Sequence, residues 1–529
     1  MGGERTTSRL NCMVMHDPDD IAIIPAPAEI RSLPGRFRLG PSTTIHLADA
    51  SFEPVVAREA QRLRASTGLE MPVVSHESAD IVISSDASMP PEGYRLAVSP
   101  DAVRIQAADA AALFYAFQSI RQLLPPEVEN ERISPDVDWS LPAVEVVDYP
   151  RFAYRGLMLD SSRHFFEARF VKRFIDLMSR YKFNRFHWHL TDDHGWRIEI
   201  DAYPRLTEVG AWRRETMLGN NLKTYGGDGI PHGGFYTQDE IREVLNYAAE
   251  RFVTIIPEIE MPGHSTAALA AYPEYGCHPG PYEVPVSWGI KKDIYSPSDA
   301  TFRFLEDVLA EVMQLFPSEY IHIGADEVPK DQWKASGLAQ EVIAREGLAD
   351  EDELQSWFIR RIEAFLNANG RRLIGWDEIL EGGLAPNATV MSWRGMSGGV
   401  EAARQGHDVI MTPRDYVYFD YYQGDPDMEP LAGRFGHPIP LDAVYGFEPI
   451  PDELTEREAR HILGAQGNVW TEFISTPEHV EYMTYPRALA LSEVAWSPQA
   501  RRNLGGFHRR LSANIEHLDA LGVNYWALD

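Results

Sequence analysis

The chain has 529 residues, 44% of them hydrophobic and 24% charged, which allows a large buried core. Its 49 Lys and Arg against 79 Asp and Glu leave a net charge of −30, which argues against non-specific nucleic-acid binding, because phosphate contacts need cationic side chains. No window approaches the roughly 20 apolar residues of a membrane-spanning helix, and two cysteines, Cys12 and Cys277, do not make a disulfide framework.

Residues 1–20 read as a polar, unpatterned tail. They show no apolar h-region of a signal peptide, so the expected compartment is the cytoplasm. Residues 21–148 read as a small α/β unit. A helical pattern covers 51–66, and DIVIS (80–84) is a short strand. Residues 94–98 and 103–106 alternate around Ser99-Pro100-Asp101, a hairpin signal. Asp109 is placed to cap a helix over 110–124, which Pro125-Pro126 stops. This unit offers no convergent polar cluster and reads as structural.

From residue 149 to 529 the rhythm changes. Short apolar runs recur: YRGLMLD (154–160), FNRFHWHL (183–190), FVTIIPEIE (252–260), YIHIGADE (320–327), RRLIGWDEI (371–379), TVMSWRG (389–395), HDVIMTP (407–413) and ILGAQGNVW (462–470). Helical stretches such as 167–181, 237–251, 299–316 and 352–369 lie between them. Near-continuous apolar strands alternating with helices imply a parallel sheet covered on its outer face. Eight of them predict a (β/α)8 TIM barrel, with a doubly wound open sheet as the competing fold. Asp160, Asp192, Asp193, Glu258, Glu260, Asp326, Glu327, Trp376, Asp377, Trp393, Trp470 and Glu472 all fall at or beyond the C-terminal ends of these runs. Barrel active sites are built at that face.

HIGADE (322–327) leads an apolar run into two adjacent acids. Like charges side by side push one pKa upward and keep one carboxyl protonated near neutral pH, as general acid catalysis on a glycosidic oxygen requires. A helix cap or a salt bridge to Lys330 is the plainer alternative. The adjacency is informative. Most glycosidases flank the scissile bond with carboxylates from two directions, which neighbours on one strand tip cannot easily do. Neighbouring acids suit substrate assistance instead: one protonates the leaving oxygen while the other supports a nucleophile belonging to the substrate, such as a 2-acetamido carbonyl. Trp376, Trp393 and Trp470 end three strands and Tyr418 follows another. Together they offer rings for a sugar face and an apolar cage for an acetamido methyl. Arg155, which opens the first strand region, and Asp420 and Glu472, after the seventh and eighth, are candidate partners of sugar hydroxyls. Arg155 and one acid could equally form a buried ion pair. HWHLTDDHGW (187–196) resembles the opening of metal-dependent hydrolase barrels, but further ligands are thin, His264 and His322 among them. A hydrogen-bonded scaffold under a sugar site is the preferred reading.

The ordered set YRGLMLDSSRHF (154–165), NRFHWHLTDDHGWRIEI (184–200), PEIEMPGHS (257–265), HIGADE, GWDEI (375–379), MSWRG (391–395), YFDYY (418–422) and NVWTE (468–472) resembles glycoside hydrolase family 20, the β-N-acetylhexosaminidases. The resemblance implies a general acid/base at Glu327 and an acetamido-orienting residue at Asp326. It implies an acetamido hydrogen bond from Tyr418, pocket walls at Trp376, Trp393 and Trp470, and hydroxyl binding by Arg155, Asp420 and Glu472. Asp193 and His264 become a supporting pair. An oxazolinium intermediate, net retention, N-acetylhexosamine-terminated glycans or chitooligosaccharides as substrate, and no metal or cofactor follow from the same likeness. A disaccharide-releasing relative and a non-catalytic carbohydrate-binding protein are the competing readings. Glu260 departs from a frequent Asp, which should shift its hydrogen bond near His264. His194 replaces a frequent Gln, and the loop 425–436 has no clear counterpart.

Overall fold

The computed structural model describes residues 21–220, 222–433 and 437–528; the tail expected over 1–20 lies outside the described residues. The chain forms two compact units, residues 21–149 with 503–521, and residues 150–502 with 522–528.

The first unit is built on a seven-stranded sheet ordered Glu29–Arg38, Ser140–Asp148, Tyr94–Val98, Val103–Ala107, Ile81–Ser85, Ile45–Leu47 and Val73–Val74. The expected hairpin pairs antiparallel, with Leu96 opposite Ile105. Its strands alternate buried and exposed, as a sheet with one wet face must. Asp109 caps the helix Ala110–Leu123 by accepting the Ala112 N–H at 2.8 Å. The last helix, Leu504–Ala520, groups with this unit, not with the barrel in which the sequence placed it. Asn514 donates to the Ala22 carbonyl at 3.1 Å, and His517 lies 3.1 Å from Glu129. An amphipathic pattern shows that a helix has an apolar face but not which core that face meets.

The second unit is a closed parallel barrel of eight strands. In chain order they are Tyr154–Asp160, Arg185–His189, Thr254–Glu258, Tyr320–His322, Arg372–Trp376, Thr389–Ser392, Val409–Met411 and Ile462–Val469. The eighth returns to the first, pairing Gly464 with Tyr154. The first strand is buried at all seven positions, which explains its unbroken apolar run. No helix among the described residues is long and apolar enough to cross a membrane.

A ladder of polar groups runs up the barrel interior. Tyr154 donates to Gln466 at 2.7 Å, Gln466 meets His187 at 3.0 Å, and His187 lies 2.9 Å from Glu258. Glu258 also faces His322 at 2.9 Å and accepts the Trp376 indole N–H at 2.8 Å. Buried polar groups partnered in this way fix the rings above them in one orientation.

Candidate active site

The fourth strand ends at His322, earlier than the apolar run suggested, so the two acids stand on a loop beyond it. That loop is contorted: Gly324, Ala325 and Glu327 have φ of 67°, 71° and 48°. Left-handed backbone at two non-glycine residues is strain of the kind that collects at functional sites. It also separates the neighbours. The Asp326 side chain is 14% exposed and the Glu327 side chain 34%. Burial pushes the Asp326 carboxyl up to about 6; His264 opposes that rise and the Glu327 carboxylate adds to it. Asp326 Oδ1 has no hydrogen-bond partner among the described residues, so it can still accept a donor.

His264, from the loop after the third strand, ties the pair together. Its Nε2 lies 3.6 Å from Asp326 Oδ2 and 3.6 Å from Glu327 Oε2. Its Nδ1 lies 3.1 Å from Asp193. Burial disfavours its charged form, yet Asp192 and Asp326 outweigh burial and hold its pKa well above the ordinary histidine value. Asp193 is itself fixed by the Thr266 N–H and hydroxyl, at 3.1 and 2.6 Å. Asp193 is absent from the lining of the cavity and reaches it through His264.

These groups open on a cavity of about 380 Å³. Trp376, Trp393, Tyr418 and Trp470 wall it. Trp376 and Trp470 meet at 5.7 Å between centroids, and Trp393 lies nearly parallel to Tyr418, 6.1 Å away at 15°. Such a cage suits an acetamido methyl and the C–H face of a pyranose. Burial, then the nearby Asp420, holds the Tyr418 hydroxyl protonated far above its usual range.

The far end of the cavity is polar. Asp420 and Glu472 line it, and the carboxyls of both are raised, Asp420 by burial and then Glu472, Glu472 by burial against the pull of Arg163. Asp420 Oδ1 and Trp470 Nε1 are without partners among the described residues. The cation here is Arg163, not Arg155. Arg163 lies 2.8 Å from Asp192, 3.4 Å from Asp160 and 5.1 Å above the Trp470 ring. Arg155 is corrected out of the site. It sits at the start of the first strand, on the opposite barrel face, where it donates to the carbonyls of Lys182 and Phe152, both at 2.8 Å. Strand direction distinguishes the two: residues just past Asp160 reach the cavity, whereas Arg155 precedes most of the strand.

Beneath Asp326 lies a second buried cluster. His189 Nε2 is 3.5 Å from Asp192, 3.7 Å from Glu258 and 3.5 Å from Glu260, while its Nδ1 lies 3.2 Å from Asp160. Burial resists a charge on His189, but these carboxylates lift its pKa well above normal. Glu260 therefore faces His189, and its extra methylene is accommodated by a missing side chain. A Cβ on Gly324 would fall 1.7 Å from Glu260 Oε2. Glu378, overlooked in the sequence although it lies in GWDEI, accepts the Trp393 indole N–H at 2.9 Å. Burial, then Asp326 and Asp377, raises its carboxyl to about 8. His194, Leu222, Trp288, Ile290, Arg414 and Tyr421 also reach the cavity and were not singled out as binding residues. Leu222, Trp288 and Ile290 stand on long loops whose sequences show no period.

Residues 152–499 match the glycosyl hydrolase family 20 catalytic domain, and residues 20–149 match domain 2 of that family. A β-hexosaminidase of Porphyromonas gingivalis is 47% identical over 96% of this chain, which spans 64% of that relative's length. Similar solved structures include a mutant Streptomyces plicatus β-hexosaminidase in complex with its product GlcNAc. It has a TM-score of 0.84 at 32% identity, over 96% of this chain and 97% of that one. A Vibrio harveyi exo β-N-acetylglucosaminidase in complex with N-acetylglucosamine gives a TM-score of 0.85 at 32% identity, over 96% of this chain and 78% of the other.

Proposed function

The chain belongs to glycosyl hydrolase family 20, and on that premise we propose that it is an exo-acting β-N-acetylhexosaminidase. It removes terminal N-acetylglucosamine or N-acetylgalactosamine residues from glycans or chitooligosaccharides. The observation that carries the reading is the division between two adjacent acids: Asp326 is the more enclosed, with a free acceptor oxygen on a cavity walled by indoles, and Glu327 is the more exposed.

The chemistry follows from that division. Glu327 gives its proton to the glycosidic oxygen. The substrate's acetamido carbonyl oxygen attacks the anomeric carbon as the bond to the leaving group breaks. Asp326 accepts the acetamido N–H and stabilises the positive charge of the cyclic oxazolinium. Tyr418 donates to the carbonyl oxygen. Water, deprotonated by Glu327, then opens the ring, so configuration is retained. Arg163, Asp420 and Glu472 bind hydroxyls of the same sugar, and the polar closed end they make supports an enzyme that takes one terminal residue at a time.

A chromogenic N-acetyl-β-glucosaminide and the corresponding plain β-glucoside test the reading, because only the first carries the nucleophile. Hydrolysis of the first alone is expected. Comparable turnover of both would sink substrate assistance.

A further inference from the structure

The cavity has one side that this chemistry does not use. Two loop segments build it, the first of residues 216–220 and 222–228, the second of residues 286–291. The first folds back on itself, with the Leu218 N–H on the Gly226 carbonyl at 2.7 Å and the Asp228 N–H on the Thr216 carbonyl at 3.0 Å. It is joined to the second by the Met217 N–H on the Val286 carbonyl at 3.0 Å and, beneath, by a buried cluster of Met217, Trp288 and Phe473. The second segment is braced as firmly. His194 donates to the Ser287 carbonyl at 2.7 Å and sets its ring 4.9 Å from that of Trp288. The Arg213 guanidinium lies 5.0 Å from the same indole. Lys291 donates to the Ser287 hydroxyl and the Trp288 carbonyl, both at 3.2 Å. At Gly289 φ is +93°, a turn that favours glycine.

This scaffold carries Leu222 and Ile290 on the cavity wall. They are 45% and 53% exposed, and Leu222 Cδ1 lies 3.9 Å from where a Gly289 Cβ would stand. Leaving a large aliphatic side chain in water forgoes about 1.5–3 kcal/mol that burial would supply. A loop pair that displays two of them at a cavity mouth gains nothing for the fold, and the surface suits a ligand.

Barrel order says which part of the ligand. Arg163, Asp420 and Glu472 come from the loops after the first, seventh and eighth strands, and the indoles from the fifth, sixth and eighth. Leu222 and Ile290 come from the loops after the second and third, next to the fourth, which carries Glu327. That is the sector into which a group protonated by Glu327 departs.

We propose that Leu222 and Ile290 form the leaving-group site, against which the sugar β-linked to the terminal residue lays its C–H face. The wall rests on the hexosaminidase reading. It offers aliphatic carbon and an indole edge, and the polar atoms of Ser287 and Lys291 are engaged within the loop. A pyranose C–H face matches it better than an anionic or strongly hydrated group.

The test compares kcat/KM for an N-acetylglucosaminyl disaccharide with that for the methyl glycoside of the same sugar, with inhibition by free N-acetylglucosamine as a third readout. In the double variant Leu222→Ser/Ile290→Ser, the disaccharide should lose about 10-fold more kcat/KM than the methyl glycoside. Inhibition by the free monosaccharide should hold. Equal losses on both substrates would mean the loops only support the site, and an unchanged disaccharide rate would mean they do not touch the leaving group; either result overturns the proposal while hydrolysis itself stands. A wild-type enzyme that cleaves neither substrate would overturn the hexosaminidase reading and the wall with it.

Discussion

The Nε2 atom of His264 lies 3.6 Å from the Oδ2 atom of Asp326. A buried histidine held cationic beside a buried carboxyl with a raised pKa makes the two protonation states interdependent. It also links the Asp193 side of the site to both acids, so the pair that handles substrate is oriented from one ring.

The roles of the two acids predict different losses. Glu327→Gln removes the transferable proton and should abolish hydrolysis while leaving binding of N-acetylglucosamine intact. Asp326→Asn keeps the shape but removes the charge that faces the oxazolinium, and should cost about 10²-fold or more in kcat, by analogy with lost transition-state donors. Steady-state rates with titration calorimetry of the free sugar check both. A near-normal rate in either variant would refute its assignment.

Asp326 also predicts a pH dependence. With its carboxyl near 6, kcat/KM should fall as pH drops through that value, because the protonated form cannot meet the developing positive charge. Stability should run the other way. The folded pKa of about 6 lies above the ordinary 3.8, so the native state binds the proton more tightly. Stability is therefore highest at low pH for this group and declines as pH rises from about 4 to about 6. Asp326→Asn removes that burden and should gain on the order of 2 kcal/mol at pH 7.5 relative to its effect at pH 4. Denaturant melts of wild type and variant at the two pH values measure it. An equal effect at both would mean the buried carboxyl is not held neutral by its surroundings.

Arg163 and Arg155 should separate cleanly. Arg163→Met leaves Asp160 and Asp192 buried without their guanidinium, a loss of about 3–5 kcal/mol when a buried pair is broken. The milder Arg163→Lys keeps the charge but not the fork, and should raise KM while the protein remains folded. Arg155→Lys disturbs contacts at the opposite barrel face, among them the Lys182 and Phe152 carbonyls and the Trp496 ring 4.9 Å away, so it should lower thermal stability with KM unchanged. A raised KM in the Arg155 variant alone would reverse the assignment.

The contrast between these arginines also shows what the sequence could carry. Strand ends are legible because apolar runs stop at Asp160, Trp376 and Val469, and a polar residue just beyond such an end faces the cavity by strand direction alone. Arg163 was readable in this way within DSSRHF; Arg155 opens the first strand region, and that position is the end of the strand away from the cavity. The paired acids, the three indoles and Tyr418 were legible for the same reason: each follows an apolar run. Leu222, Trp288 and Ile290 were not, since their approach depends on hydrogen bonds such as that from Met217 to Val286, which join loops far apart in sequence. Glu260 looked like a perturbation of His264. Its partner is His189, because Gly324 leaves a space that only the folded backbone reveals.

That space supplies a last test. In Gly324→Ala the new methyl would fall 1.7 Å from Glu260 Oε2, on backbone with φ of +67°. The clash must push Glu260 or the 324–327 loop aside, and the loop carries both acids. Glu260→Asp withdraws the carboxyl by one methylene and should relieve the clash, leaving the left-handed alanine, a cost of about 1–2 kcal/mol. The double variant should therefore recover most of the activity that Gly324→Ala loses, with a coupling energy of about 1–3 kcal/mol in a double-mutant cycle. Thermal melts and kcat/KM of the four proteins give that coupling. Additive losses would show that Glu260 and the acid-bearing loop are held independently.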